Sequence, residues 1–226
     1  MKLIFSLTLI WALSNTAGAL QCQMCIDTQC PSTVPVTCPS GTMCITASIQ
    51  ATSSSETPAR LIYKACAPSS LCPATGSQTF SVSLGGANAV GSSKCCNTDN
   101  CNSETLALPG AQSDNSLQCF TCNPLTSQCN TTLQCKGAEN LCFGMSVTIG
   151  STSSLFFGCA SANLCTAASN PSSIPILQSV GNIARGPTCC ATNLCNTIAA
   201  TIGSDACCIR LGVIPLLLTL LAFTFY

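Results

Sequence analysis

The stretch KCCNTDNCN at 94–102, which returns as TCCATNLCN at 188–196, decides how this chain folds. Neighbouring residues on an extended strand point to opposite faces, so the Cβ vectors of Cys95 and Cys96, and those of Cys189 and Cys190, diverge. Adjacent cysteines therefore bond in different directions. One of each pair can close a short loop to Cys101 or Cys195, leaving the other to reach far back along the chain. Such a segment ties a late strand to a distant loop, and the chain has two of them.

Composition agrees with that reading. Of 226 residues 22 are cysteine, a density that in a short chain points to secretion and a disulfide scaffold. Seven basic and seven acidic residues cancel, so no field attracts nucleic acid phosphate and no nucleic-acid partner is expected. Histidine is absent from the sequence, which removes the commonest general base, the usual triad base and a frequent zinc ligand. The composition therefore predicts no enzyme, no cofactor, no metal and no small-molecule substrate.

Both ends read as processing signals. MKLIFSLTLIWALSNTAGA carries Lys2, an apolar run and Ala17-Gly18-Ala19, which predicts a signal peptide over 1–19 with cleavage before Leu20. Read instead as an anchor, its roughly ten to twelve apolar residues are too few for a bilayer core of about 30 Å. At the other end, the uncharged run Leu211–Tyr226 would reach about 24 Å as a helix, again short of that thickness. The nearby charge, Arg210, precedes the run rather than following it on a cytosolic flank. A glycosylphosphatidylinositol signal is the expectation. Ser204, followed by Asp205 and Ala206, is the expected attachment residue, although its spacer to Leu211 is shorter than the usual ~8–12 residues. Ala199, followed by Ala200 and Thr201, is the alternative with better spacing. Residues 197–204 then form a stalk, and 205–226 are removed. Either choice discards Cys207 and Cys208 and leaves twenty cysteines; a retained tail would make that pair a palmitoylation candidate.

Between the ends the sequence repeats. LQCQMC at 20–25 answers to LQCFTC at 117–122, and CAPSSLC at 66–72 answers to CASANLC at 159–165. Two units follow, 20–102 and 117–196, with ten cysteines each and a linker over 103–116 containing Pro109-Gly110. Within a unit the spacing predicts hairpins. Met43–Ile49 alternates apolar and polar residues, Ala51–Pro58 reads as a Ser/Thr-rich tip, and Leu61–Cys66 resumes as a strand. Cys142–Cys159 is the counterpart, with Gly150–Ser154 as its tip. Thr79–Leu84 and Ile174–Val180 mark a further hairpin in each unit. No stretch shows a helical period with caps, so the predicted class is all-β. Few bulky apolar side chains are available for a core, which makes the disulfides decisive for folding.

The cysteine order, LxCxxC, two more, a central pair and then CC-x4-CN, resembles the Ly-6/urokinase-receptor family, whose three-finger domain is shared with snake α-neurotoxins. The likeness covers Leu20–Asn102 and Leu117–Asn196. Cysteine arithmetic alone leaves the connectivity open. The resemblance implies five bonds per unit: Cys22–Cys44, Cys25–Cys30, Cys38–Cys66, Cys72–Cys95 and Cys96–Cys101, then Cys119–Cys142, Cys122–Cys129, Cys135–Cys159, Cys165–Cys189 and Cys190–Cys195. It also implies that Asn102 and Asn196 hydrogen-bond across the palm. The three-domain urokinase receptor lacks one bond in its first domain, whereas both units here hold the full set.

Chemical motifs weigh little against this. Cys22-x-x-Cys25 and Cys119-x-x-Cys122 lack the βαβ context of a redox pair and read as structural. The carboxylates Asp27, Glu56, Asp99, Glu104, Asp114 and Glu139 are scattered through hairpins and linker, and read as solvated surface rather than a paired acid and base. Asn130-Thr131-Thr132 is a glycosylation sequon on the first finger of the second unit. Thr52-Ser53-Ser54-Ser55 reads as a soluble turn.

Rigid palms with variable tips present loops to partners, so the expected job is binding. The apolar candidates for ligand contact are Phe156 and Phe157 on the second finger of unit two, and Ile174, Ile176 and Leu177 on its third; the tips of unit one look more polar and suggest no partner. The leading expectation is a glycolipid-anchored receptor or adhesion-type protein of the outer leaflet that binds an extracellular protein. Within the family the alternatives are a soluble phospholipase A2 inhibitor of the γ type, also built of two such units, and a prototoxin-like modulator of nicotinic receptors. The linker permits independent beads or a closed pair, and the sequence does not choose between them.

Overall fold

The computed structural model describes residues 19–53, 56–122, 128–149, 152–168 and 182–197. The first unit is three antiparallel hairpins: β1 (Gln21–Asp27) with β2 (Val34–Thr37), β3 (Met43–Ser53) with β4 (Glu56–Ala67), and β5 (Gly76–Ser83) with β6 (Ala87–Cys96). The second has β7 (Asp114–Thr121) with β8 (Thr131–Lys136), β9 (Leu141–Ile149) with β10 (Thr152–Ala160), a short helix α1 (Ala162–Ala168), and β11 (Asn182–Cys190) along β9.

Register explains why doubled cysteines sit where they do. Cys44 lies opposite Cys66 on one side and Cys96 on the other, so the three share one face of the β4-β3-β6 sheet. That face carries a cluster of Cys22, Cys38 and Cys44 with Cys66, Cys96 and Cys101 packed on it. Cys95, one residue earlier, points the other way and joins Ile45, Ala65, Ala67 and Cys72 on the opposite face. The second unit repeats the row as Cys159, Cys142 and Cys190.

Two kinds of feature depart from the sequence reading, fingertips and one helix; Thr152–Ser154 of the expected Gly150–Ser154 tip are strand, paired with Ile149–Val147. Ala51–Pro58 is not wholly a tip: β3 and β4 stay paired through Ala51↔Ala59 to Ser53↔Glu56, and β3 pairs β6 over the same span. Backbone ladders on both sides carry the strand through residues whose side chains suggest a turn. The second departure is α1. Its seven residues, ANLCTAA, are too few to show a period, but alanine is the best helix former and Cys165 is tied to Cys189 of β11. Cys165 and Ala167 are its buried residues.

The linker is held at both ends. Lys64 Nζ donates to the Ser103 carbonyl, Thr46 Oγ1 donates to the Glu104 carbonyl at 3.0 Å, and Lys94 forms an ion pair with Glu104. Past Pro109-Gly110, the Gly137 N–H donates to the Ser113 carbonyl at 2.8 Å.

The units are joined by strand pairing as well as by the linker. β10 runs antiparallel to β5, with Cys159 opposite Ser83 and Ala160 opposite Val82, producing one nine-stranded sheet in the order β11-β9-β10-β5-β6-β3-β4-β1-β2. In the first unit the outer edge of β4 is capped by β1. The matching edge of β10 is capped instead by the third finger of the first unit, which covers an otherwise unpaired row of backbone groups. Past the strand ends, the Ser161 N–H donates to the Ser81 carbonyl at 2.9 Å, and Ser161 Oγ accepts from the Ser81 N–H. Asn163 Nδ2 donates to the Thr79 carbonyl at 2.9 Å. Leu84, beside the Gly85-Gly86 turn, enters the core of the second unit among Phe143, Val147, Phe156, Ala160 and Cys165. A Cβ on Gly158 would collide with the Ser83 carbonyl oxygen, so this approach requires glycine.

Candidate functional site

Each palm is closed by one buried asparagine. Asn102 Oδ1 accepts from the Gln23 N–H at 2.9 Å, while Nδ2 donates to the carbonyls of Gln23 at 2.8 Å and Ile45 at 2.9 Å. Asn196 does the same with the N–H and carbonyl of Phe120 and the carbonyl of Phe143. One amide thus satisfies three backbone groups on two strands that do not pair at that point. The loop before it repeats as well: Asn100 and Leu194, both at positive φ, donate their N–H groups to the carbonyls of Gln21 and Gln118 at 2.7 Å.

Among the described residues there are ten disulfides, five within each unit. Cys22 bonds Cys44, Cys25 bonds Cys30, Cys38 bonds Cys66, Cys72 bonds Cys95 and Cys96 bonds Cys101. In the second unit Cys119 bonds Cys142, Cys122 bonds Cys129, Cys135 bonds Cys159, Cys165 bonds Cys189 and Cys190 bonds Cys195. Neither C-x-x-C pair is bonded to itself. The sulfurs of Cys22, Cys38 and Cys66 gather within 4.8 Å of one another, as do those of Cys119, Cys135 and Cys159. Every one of them is in a disulfide, so these clusters offer no thiolate to a metal.

The phenylalanines expected at a contact patch are interior. Phe156 is 5% exposed and Phe157 is 1% exposed, and neither is available to a ligand. Alternation alone would bury only one of them. Here both faces of β10 are covered: Phe156 packs with Leu84 of the first unit, and Phe157 shares the face of Cys159, where β7 and β8 lie. Ile174, Ile176 and Leu177 fall outside the described residues, as do the signal segment 1–18, Ala199 and Ser204.

Exposed apolar side chains occur instead on the first finger of the first unit. Met24, Ile26 and Val34 are 45%, 38% and 64% exposed, and Met24 stands directly opposite Val34 in the β1–β2 register. Ile26 lies two residues along β1, on the same side as Met24. A sequence signal existed, because Met24 and Ile26 alternate with Gln23, Cys25 and Asp27. Asn130 is exposed just before β8, with Thr131 and Thr132 exposed after it.

The carboxylates divide. Asp27 accepts from Thr28 Oγ1 at 3.0 Å, Asp99 from the Gln21 N–H at 2.9 Å, and Glu104 pairs with Lys94. Asp114 is exposed on β7. Glu139 is not solvated surface: it is 2% exposed and accepts from Ser83 Oγ at 2.7 Å and from the Lys136 N–H at 2.9 Å. Burial pushes its carboxyl above the usual range, against the opposing pull of the Ser83 hydroxyl, the Lys136 N–H, the Ser81 side chain and the Lys136 charge. Its burial follows from docking, since Ser83 belongs to the other unit. Lys64 is also buried, and desolvation lowers its ammonium below the usual lysine range while Glu104 works the other way. Glu139 and Lys64 brace the structure, one across the seam and the other against the linker.

A family model for the u-PAR/Ly-6 domain matches residues 18–104. A second, for snake toxin and toxin-like proteins, matches residues 117–196. A comparison with curated proteins finds no match.

Proposed function

The chain belongs to the u-PAR/Ly-6 family as two tandem three-finger domains, and from that premise we propose that it is a glycolipid-anchored cell-surface protein that binds an extracellular protein ligand. Domains of these families are generally binding modules rather than enzymes, and are typically found outside the cell or on its surface. Among the described residues no helix is long and apolar enough to cross a membrane.

The observation that carries the reading is the apolar surface of Met24, Ile26 and Val34, held out on a hairpin that Cys25–Cys30 and the palm keep rigid. Fixed apolar side chains on a braced loop bind at low cost in ordering. The partner's matching surface is apolar at its centre, because no charged residue lies among these three. The anchor rests on the spacing at Ser204 or Ala199, and glycosylation on the exposed Asn130.

Proximity labelling on cells displaying the protein tests the contact surface. The double variant Met24→Glu, Val34→Glu is expected to lose its labelled protein partners while still reaching the surface. An unchanged set of partners would remove the patch from the account. Release into the medium by phosphatidylinositol-specific phospholipase C is expected from the anchored form; a protein already free in the medium would favour the soluble γ-type inhibitor reading.

A further inference from the structure

We infer that the burial of Glu139 at the seam makes docking of the two domains proton-linked: with the carboxyl protonated, the third finger of the first domain is held on the second domain, and ionisation of Glu139 in that dry site loosens the docking. This inference stands on the seam between the domains and does not depend on the ligand or the anchor.

The geometry is that of a buried acid placed across an interface. Glu139 sits in the turn between β8 and β9, and its Oε1 accepts from Ser83 Oγ on β5 of the other domain. Its second oxygen accepts from the Lys136 N–H of its own turn. Asn115 Nδ2 holds the Glu139 carbonyl at 2.9 Å, so the turn is fixed from β7. Ser83 is itself buried, at 8% exposure. It lies opposite Cys159 in the seam, so Glu139 touches the residue on which strand pairing between the domains depends.

Charge balance at the site is lean. Lys136 on β8 is the cation that acts on Glu139, but its side chain is exposed, and Asp114 stands opposite it in the β7–β8 register. The other elements packed at the seam contribute no charge: β5 is GSQTFSVS, β9 is LCFGMSVTI, β10 is TSSLFFGCA and α1 is ANLCTAA. An ionised carboxylate there keeps two hydrogen bonds but loses water, and desolvation is the largest influence on it. When the domains part, Glu139 is wetted and returns toward the ordinary carboxylate range.

The sign of the linkage follows. The docked state holds the proton more tightly than the undocked state, so acid favours docking and docking weakens as pH rises. The decline begins at the ordinary carboxylate pKa and ends at the raised value of the docked group. One proton gives a slope of at most about tenfold per pH unit.

Amide hydrogen exchange on the two-domain protein, corrected for the chemical rate at each pH between 5 and 8, reads this directly. The amides that bond across the seam, those of Ser81 and Ser161, are expected to lose protection as pH rises, while those of β3 at 45–49 keep theirs. Glu139→Gln, which is neutral at every pH, is expected to hold seam protection flat near the wild-type value at low pH. Ser83→Ala keeps the acid but removes a donor that favours its ionised form, so the decline should extend to higher pH. Seam protection that follows β3 at every pH in the wild type overturns the inference, as does a pH dependence that survives in Glu139→Gln or a decline unmoved in Ser83→Ala.

Discussion

Asn102 and Asn196 show how much of this fold rests on single side chains. Both are almost wholly buried, and each occupies all of its strong bonds with the main chain of strands from different hairpins. Asn102→Ala would leave the Gln23 N–H and the carbonyls of Gln23 and Ile45 without partners in a place closed to water. That should cost about 2–4 kcal/mol, read as a fall of roughly 5–15 °C in the thermal midpoint of the disulfide-intact protein. A midpoint within a degree or two of wild type would mean that water replaces the amide. The role of the asparagine was legible from its place after the last cysteine, but only through the family pattern. Nothing local in Cys101-Asn102 says which strands the amide will reach. Glu139 was illegible for a related reason: in KGAEN it looks like any loop carboxylate, and what buries it is a serine far away in sequence.

At the scale of elements, the edges of the strands decide the arrangement. β4 and β10 hold equivalent positions, yet β1 covers one and β5 the other. Gly158 permits the second pairing, because any side chain there meets the Ser83 carbonyl. Gly158→Ala is therefore expected to open the seam while leaving the disulfides in place, seen as loss of protection at the Ser81 and Ser161 amides with β3 and β4 unaffected. Protection retained at those two amides would show that the strands can slide past a methyl group. Hairpins such as Met43–Ile49 with Leu61–Cys66 could be read from alternation, since Met43, Ile45, Ala47 and Ile49 are separated by Cys44, Thr46 and Ser48. Phe156 and Phe157 could not. Alternation assumes one buried face, and in the second domain Leu84 covers one side of β10 while β7 and β8 cover the other. The same blindness hid Met24, Ile26 and Val34, because apolar residues in a strand read as core until the neighbour that fails to cover them is known.

Across the whole molecule, duplication was plain from the repeated cysteine order, while the joining of the copies was not. A linker with Pro109-Gly110 is compatible with a loose tether. Lys64, Thr46 and Lys94 instead fix its beginning to the first palm, Gly137 fixes its end, and β5 with β10 completes a sheet through both domains. These bonds involve backbone atoms and distant partners, which residue patterns do not encode. The consequence is that the third finger of the first domain is occupied within the molecule, while Met24, Ile26 and Val34 on the β1–β2 face stay exposed. The measurement that tests this most directly is backbone 15N relaxation of the two-domain protein at mildly acidic pH. The account expects one tumbling time shared by amides of β3 and β9, that of a single body. Two separate and shorter times, one for each domain, would contradict it.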